Sequence, residues 1–275
     1  MEDMDIITHK ALVVGGGLAG MRAAIEMTQR GVDVALLSMV YPVRSHSIAA
    51  QGGINAPLGH AEKGKDDNWE KHTFDTVKGG DYLADQDAVE VLTREASEQV
   101  FQLDRWGVPF SRTETGQIAQ RPFGGSDFPR TCYATDKTGH YILHTLFERC
   151  LKEGLVIYPE RFVLSLVVDD GKASGLIALN LITGMIETYH ARHIVLAVGG
   201  VGRIYDCSTN ALINTGYAMS LAYRAGTTLK DMEFIQFHPT TLFGTNILIT
   251  EGARGEGGYL LNSQSKRFMQ DYAPK

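Results

Sequence analysis

Residues 11–20 read ALVVGGGLAG, a short apolar run followed by a glycine-rich turn. Four consecutive apolar residues bounded by a turn are typical of a buried strand. The next residues, 21–29, have the apolar spacing of a helix, and residues 32–37 supply a second apolar run. The order strand, glycine turn, helix, strand predicts a βαβ unit and therefore a parallel sheet of the Rossmann-like α/β class.

The glycine turn matches the GxGxxG pattern of dinucleotide-binding folds. In that pattern Gly15 permits the tight turn, Gly17 lets a diphosphate approach the backbone, and Gly20 allows the helix and strand to pack closely. We therefore predict that a nucleotide cofactor is bound by Gly15, Gly16, Gly17, Leu18, Ala19 and Gly20. The acidic residue that usually binds the ribose of NAD is absent, because the second strand ends at Ser38. Ser38 offers only a weaker hydroxyl contact, which disfavours an NAD-dependent dehydrogenase.

The composition limits the class of protein further. The chain has 275 residues, of which 44% are hydrophobic and 21% charged, as in an ordinary soluble globular protein. Its net charge of −6 and its lack of a basic cluster argue against nucleic-acid binding. The three cysteines form no CxxC pair, so we expect no iron–sulfur or metal site. No apolar run is long enough to span a membrane.

The rest of the chain continues the α/β pattern. A polar loop follows the second strand as far as about residue 64, and loops of this length are usually functional. Apolar spacing predicts three later helices. The first ends near residue 107, the second covers residues 138–151 and the third covers residues 210–225. Short runs at 163–168, 176–181 and 185–189 predict an inserted antiparallel β-meander, after which residues 193–198 rejoin the parallel sheet.

Residues 44–55 read RSHSIAAQGGIN, and this segment resembles the flavoprotein subunits of succinate dehydrogenase and fumarate reductase. Further segments that resemble the family are 75–86, 109–113, 121–125, 136–140, 236–240 and 250–258, so the resemblance extends over nearly the whole chain. It implies an FAD-binding domain in which the histidine at the position of His46 is joined covalently to FAD. The additional cofactor-binding residues that it implies are Arg44, Ser45, Ser47, Gln51, Gly52, Gly53, Gly199 and Gly200.

The side chain of His46 suits such a bond. Imidazole is a neutral nucleophile near pH 7 and has one free lone pair. An attached electron-poor ring should withdraw electron density from the flavin and raise its reduction potential. The resemblance implies this purpose, since the oxidation of succinate needs a flavin more oxidising than the free cofactor. The adjacent Gly52 and Gly53 fit a backbone that passes close to the flavin ring. Without these neighbours, His46 would be interpreted as an ordinary polar histidine in a loop.

The resemblance also implies a substrate site. It assigns the binding of one substrate carboxylate to His238 and Thr250, and a proton relay to Glu251 and Arg254. Glu251 and Arg254 lie three residues apart on a glycine-rich turn, near enough for a charge-assisted pair, although a structural salt bridge is the simpler interpretation. The implied reaction is hydride transfer between succinate or fumarate and FAD, with proton exchange at the neighbouring carbon.

Part of the family's machinery lies beyond the last matching segment. The catalytic arginine, a second substrate histidine and a second carboxylate-binding arginine are not found, and the family's subunits are considerably longer. We therefore expect the N-terminal half of such a subunit, with an incomplete FAD-binding domain at residues 1–232 and the beginning of an α+β capping domain at 233–275. We expect no succinate turnover by this chain alone. Tyr217 also departs from the family, which has an aspartate that contacts FAD there.

The resemblance implies partners and two alternatives. A separate iron–sulfur subunit would accept the electrons, and membrane-anchor subunits would hold the complex at the cytoplasmic side of the cell membrane. The first alternative is an L-aspartate oxidase-like flavoenzyme, whose FAD is not covalently bound; the RSHS segment around His46 argues against it. The second is a non-catalytic FAD-binding fragment, which the early end of the chain favours.

Overall fold

The structure is a computed structural model that describes residues 6–272. The outermost residues of the two domains expected from the sequence lie outside this range. The strands are β1 (Ile6–Thr8), β2 (Ala11–Val14), β3 (Val34–Ser38), β4 (Ile54–Asn55), β5 (Gln120–Arg121), β6 (Thr131–Cys132), β7 (Val156–Pro159), β8 (Arg161–Asp169), β9 (Lys172–Asn180), β10 (Ile186–His190), β11 (His193–Leu196), β12 (Thr241–Leu242) and β13 (Ile247–Leu248). The helices are α1 (Leu18–Gln29), α2 (Trp69–Gly79), α3 (Gln86–Trp106), α4 (Thr138–Lys152), α5 (Tyr217–Arg224) and α6 (Gly252–Gly255).

A parallel sheet in the order β11-β2-β3-β7 forms the base of the fold. Strands β2 and β3 are buried along their whole length, as expected for parallel strands covered on both faces. Helix α1 begins directly after Gly17 and connects them, so the predicted βαβ unit is confirmed. Strand β7 was not predicted, although it extends the sheet beside β3.

The predicted meander is confirmed as β8, β9 and β10, which pair antiparallel. Strand β1 adds to its edge in parallel with β10. Leu12 and Leu37 of the parallel sheet share one buried cluster with Leu176 and Tyr189 of the meander. After the meander the chain rejoins the parallel sheet as β11, which pairs with β2, the strand before the glycine turn.

The helix predicted for residues 210–225 is wrong in its first half, because α5 covers only Tyr217–Arg224. Residues 208–216 instead form a loop closed by its own polar groups, in which the Asn214 side chain donates to Asn210 Oδ1 at 3.0 Å. Gly216 has φ = +73°, a left-handed conformation that interrupts a right-handed helix. Apolar spacing indicated a helix, but asparagine and glycine disfavour one here.

The described residues divide into two compact units. The first comprises residues 6–50, 106–108 and 139–239, and the second comprises 51–105, 109–138 and 240–272. The domain division expected near residue 232 stays a prediction. Within residues 6–272 no helix is long and apolar enough to cross a membrane.

A buried ion-pair network organises the second unit. Arg130 is 1% exposed and donates to both carboxylate oxygens of Asp67, at 2.9 and 2.7 Å, and to Asp75 at 2.8 Å. Arg130 directly precedes β6, which pairs with both β4 and β5. Since buried charges are stable only when paired, the network holds the centre of this small sheet. Its outer strand β4 directly follows residues 51–53, and its other outer strand β5 contains Arg121.

Candidate functional site

The glycine turn after β2 leaves no room for side chains at two positions. Gly15 has φ = +117°, and a Cβ there would lie 2.2 Å from the carbonyl oxygen of Ala197. A Cβ on Gly20 would lie 1.8 Å from the carbonyl oxygen of Gly15. Both contacts are with backbone, which cannot move aside as a side chain can. These two glycines are therefore required for packing the turn against the parallel sheet.

The other side of the turn faces hydroxyl groups. A Cβ on Gly17 would lie 3.3 Å from Ser47 Oγ and 3.8 Å from Ser45 Oγ. The backbone N–H of Leu18 donates to Ser47 Oγ at 3.5 Å. Ser38 is buried at the end of β3, and its Oγ lies 2.6 Å from the Cβ position of Gly16. The predicted residues Gly16, Gly17, Ser38, Ser45 and Ser47 are therefore brought together in the first unit.

This cluster has the properties of an anion site. Gly17, the N-cap of α1, has no side chain that could bond the helix, and the first N–H groups of a helix attract negative charge. Ser45 Oγ is buried and has no hydrogen-bond partner among the described residues. A buried hydroxyl without a partner is costly. A phosphate bound at the helix terminus would accept hydrogen bonds from both groups, so the residues present fit a dinucleotide.

His46 follows Ser45 and begins a short 3-10 helix, His46–Ala49. Its half-buried ring accepts a hydrogen bond at Nδ1 from the backbone N–H of Ala211, at 3.2 Å. Burial lowers the pKa of His46 below its ordinary value, so the imidazole is neutral at pH 7. Arg44, by contrast, is exposed.

Residues 51–53 lie in the second unit, where packing and one arginine hold their backbone. Gly53 has φ = +131°, and a Cβ there would lie 2.5 Å from the carbonyl oxygen of Cys132. Arg121 Nη2 donates to the carbonyl oxygen of Gly52 at 2.6 Å and to that of Gln51 at 3.5 Å. Arg121 is not among the residues predicted to form the site. Arg121 lies 69 residues from Gly52 along the chain, so no local pattern predicts their contact. Its place in the family-like segment 121–125 was the one sequence signal that could have identified it.

Glu251 and Arg254 form an ion pair, with 3.6 Å between Oε1 and Nη2. That distance exceeds a normal hydrogen bond, and both side chains are about one third exposed. Arg254 Nη1 makes the shorter contact, a 2.9 Å hydrogen bond to Thr240 Oγ1.

Thr250 Oγ1 accepts the N–H of Gly252 at 3.2 Å, which uses an oxygen lone pair and leaves the hydroxyl hydrogen available for donation. Thr250, the ion pair and Thr240 belong to the second unit, whereas His238 belongs to the first.

The segment after β11 contains the last two predicted cofactor residues. Gly199 has φ = +74°, and its Cβ position lies 3.7 Å from Asn214 Oδ1. At Gly200 no atom of residues 6–272, apart from its own chain neighbours, lies within 4 Å of the corresponding position. Tyr217 opens α5, and its ring stacks on that of Phe162 with 4.8 Å between centroids and 29° between planes. Burial raises the pKa of Tyr217. Its side chain therefore packs as a neutral aromatic group.

Comparison with known proteins gives a consistent result. The sequence profile of the FAD binding domain family matches residues 10–275. The chain is 49% identical to the succinate dehydrogenase flavoprotein subunit of Rickettsia bellii, over 98% of this chain and 46% of that protein. It is 51% identical to the fumarate reductase flavoprotein subunit of Mycobacterium tuberculosis, over 96% of this chain and 45% of that protein. A variant of FrdA from E. coli quinol fumarate reductase superposes with a TM-score of 0.92 at 44% identity, over 98% of this chain and 46% of that one. The chain therefore spans somewhat less than half the length of these relatives.

Proposed function

Because this chain belongs to the FAD binding domain family, we propose that it carries the FAD-binding part of a succinate dehydrogenase or fumarate reductase flavoprotein. The observation that supports this most directly is the position of His46. It lies between Ser45 and Ser47, whose hydroxyl groups approach the glycine turn. A nucleophilic side chain is thus placed one residue from the groups suited to hold a cofactor's phosphates.

The residues of the first unit have separate proposed roles toward FAD. The N–H groups at the start of α1 and the Ser45 hydroxyl hold the diphosphate, and Ser38 contacts the cofactor from the end of β3. His46 forms the covalent bond. FAD, when bound, supplies the group that takes up or returns hydride. The remaining chemistry is substrate binding and proton movement, which fall to side chains of this chain and of any further domain.

His238 and Thr250 are proposed to bind a substrate carboxylate, Thr250 by donating its hydroxyl hydrogen. Glu251 and Arg254 are proposed to relay a proton. Arg254 is oriented by Thr240, so its second guanidinium nitrogen faces Glu251 at 3.6 Å. A contact of this length leaves room for the pair to shorten when substrate binds. In this scheme His238 and Thr250 bind the dicarboxylate, and the ion pair is reserved for proton transfer.

The proposal includes partners and a location. The relatives named above are subunits of succinate dehydrogenase and fumarate reductase. By analogy, electrons would pass from FAD to an iron–sulfur subunit, and membrane-anchor subunits would exchange them with quinone. The chain would then be peripheral, at the cytoplasmic side of the cell membrane.

The complete gene product, expressed with its partner subunits, tests the function. After denaturing electrophoresis we expect flavin fluorescence at the protein band and a mass increased by one FAD, together with succinate-dependent dye reduction. Oxidation of L-aspartate with FAD released on denaturation would support the aspartate oxidase alternative instead. Bound FAD with neither activity would support a non-catalytic module.

Substitution of Ser45 by alanine tests the phosphate site. We expect the flavin-free chain to be unchanged or about 1 kcal/mol more stable, because a buried hydroxyl without a partner is removed. FAD affinity should fall about fivefold, since that hydroxyl no longer donates to the cofactor. Urea unfolding and equilibrium titration measure the two effects.

The matched control is Ser47→Ala, because Ser47 Oγ already accepts the Leu18 N–H. This control should weaken FAD binding without stabilising the flavin-free chain. If Ser45→Ala destabilised the flavin-free chain and left FAD affinity unchanged, Ser45 would have no role at the phosphates.

A further inference from the structure

A loop far along the chain contacts the ring of His46. Residues 208–214 form this loop, here called the asparagine loop, and the N–H of Ala211 donates to His46 Nδ1 at 3.2 Å. The two residues are 165 positions apart. Both belong to the first unit, and no local sequence pattern predicts their contact.

Within the asparagine loop, Ala211 is held in place by hydrogen bonds. Its carbonyl oxygen accepts the N–H of Asn214 at 3.0 Å, and the Asn214 side chain donates to Asn210 Oδ1 at 3.0 Å. The carbonyl oxygen of Asn214 in turn accepts the N–H of Arg203 at 3.0 Å. Asn214 is only 6% exposed. A residue fixed by bonds of this kind presents its N–H in one direction.

Gly202 explains how the loop packs. A Cβ at this position would lie 2.7 Å from the side-chain amide of Asn210. A side chain there would displace the amide that bonds Asn214. The Gly202 backbone thus leaves the space that the asparagine pair occupies.

The bond from Ala211 decides which nitrogen of His46 carries the proton. A backbone N–H can only donate, so Nδ1 must hold a lone pair. In a neutral imidazole the hydrogen is then on Nε2. The same bond persists after substitution at Nε2, whereas substitution at Nδ1 would break it. Protonation of an attached ring at Nδ1 would likewise break the bond, because the Nδ1–H and the Ala211 N–H would both be donors and would repel each other.

We propose that the asparagine loop is a positioning element for flavin attachment, which directs the bond to His46 Nε2 and keeps the attached ring neutral. This inference rests on the proposed function. Ala211, Asn210 and Asn214 act through His46 and need not touch the flavin.

The attachment step is balanced without an outside oxidant. A bond forms between His46 Nε2 and the 8α carbon of the flavin, while one Nε2–H bond and one 8α C–H bond break. The 8α carbon is oxidised, and two electrons with the two protons enter the flavin ring system, which is left reduced by two electrons. Its ordinary electron acceptor then reoxidises it.

Ring-nitrogen NMR of the histidine-labelled chain, before flavin is added, tests the orientation directly. We expect the resonance that disappears in His46→Ala to report hydrogen on Nε2. In Ala211→Pro, which lacks the N–H, this preference should be lost, whereas Ala211→Ser should keep it. Hydrogen on Nδ1 in the unsubstituted chain would overturn the proposal.

The rate of covalent flavin attachment in the complete gene product tests whether the asparagine loop assists that step. We expect attachment at least about fivefold slower in Ala211→Pro, from the loss of one hydrogen bond, with unchanged rates in Ala211→Ser and with non-covalent FAD binding retained. If proline prevents folding, Asn210→Ala replaces it, and Asn210→Asp, which keeps the acceptor for Asn214, should restore the rate.

The failure of this inference differs from that of the proposed function. Equal attachment rates in the proline and serine variants, with covalent flavin present, would overturn the inference alone. Absence of covalent flavin from the unsubstituted protein would overturn the proposed link and the inference together.

Discussion

We expect that replacement of His46 by alanine abolishes covalent attachment of the flavin. The denatured protein band on a gel should then lose its flavin fluorescence completely. The physical reason is that His46 is the proposed nucleophile and lies one residue from the proposed phosphate site. Non-covalent FAD binding should survive, because the glycine turn, Ser45 and the start of α1 are unchanged. Gel fluorescence, mass and FAD released by acid measure these effects separately.

The same variant should change the direction in which the enzyme works best. Without the electron-withdrawing imidazole the flavin potential falls, and each decrease of about 30 mV shifts a two-electron equilibrium about tenfold toward the oxidised flavin. Succinate oxidation should therefore fall more than fumarate reduction. The control is His190→Ala, on the exposed end of β10, which should leave both activities unchanged. Covalent flavin in His46→Ala would mean that another residue is the attachment site.

Substitution of Arg254 by glutamine should lower kcat for fumarate reduction by about 10²- to 10⁴-fold, the usual contribution of a positioned proton-transfer group. Glutamine can still bond Thr240 but cannot carry a proton to or from Glu251. KM should change little, because the proposed carboxylate ligands are His238 and Thr250. Steady-state kinetics of the complete complex over a range of pH measure kcat and KM separately.

Two variants control for the structural role of the ion pair. Arg254→Lys retains the charge and should recover part of kcat, although it loses the two-nitrogen geometry that contacts Thr240 and Glu251 together. Glu251→Gln should resemble Arg254→Gln, since it interrupts the same relay. If Arg254→Gln lowered thermal stability but left kcat unchanged, the pair would be a structural salt bridge, the simpler interpretation of the sequence.

Local sequence rules predicted the elements that depend on near neighbours. The apolar run 11–14, the glycine turn and the helix spacing after it lie within one continuous stretch, and they became β2, the turn and α1. Strand β7 was missed, since its place beside β3 is set by pairing with residues more than 100 positions earlier. The start of the helix predicted at 210 was wrong because Ser208 Oγ accepts the backbone N–H of Asn210 and Gly216 adopts a left-handed conformation, and both outweigh a weak helical preference.

The sequence by itself determined the βαβ unit and the glycine turn, because strand length, helix period and glycine sterics act over a few residues. His46 became a candidate through the family resemblance of residues 44–55 and not through these local rules. Only the tertiary structure decided which groups surround them. Ala211 reaches His46, and Arg121 reaches Gly52, across 165 and 69 positions. Contacts at such separations form only when sheet pairing has closed the intervening chain, so no local pattern records them.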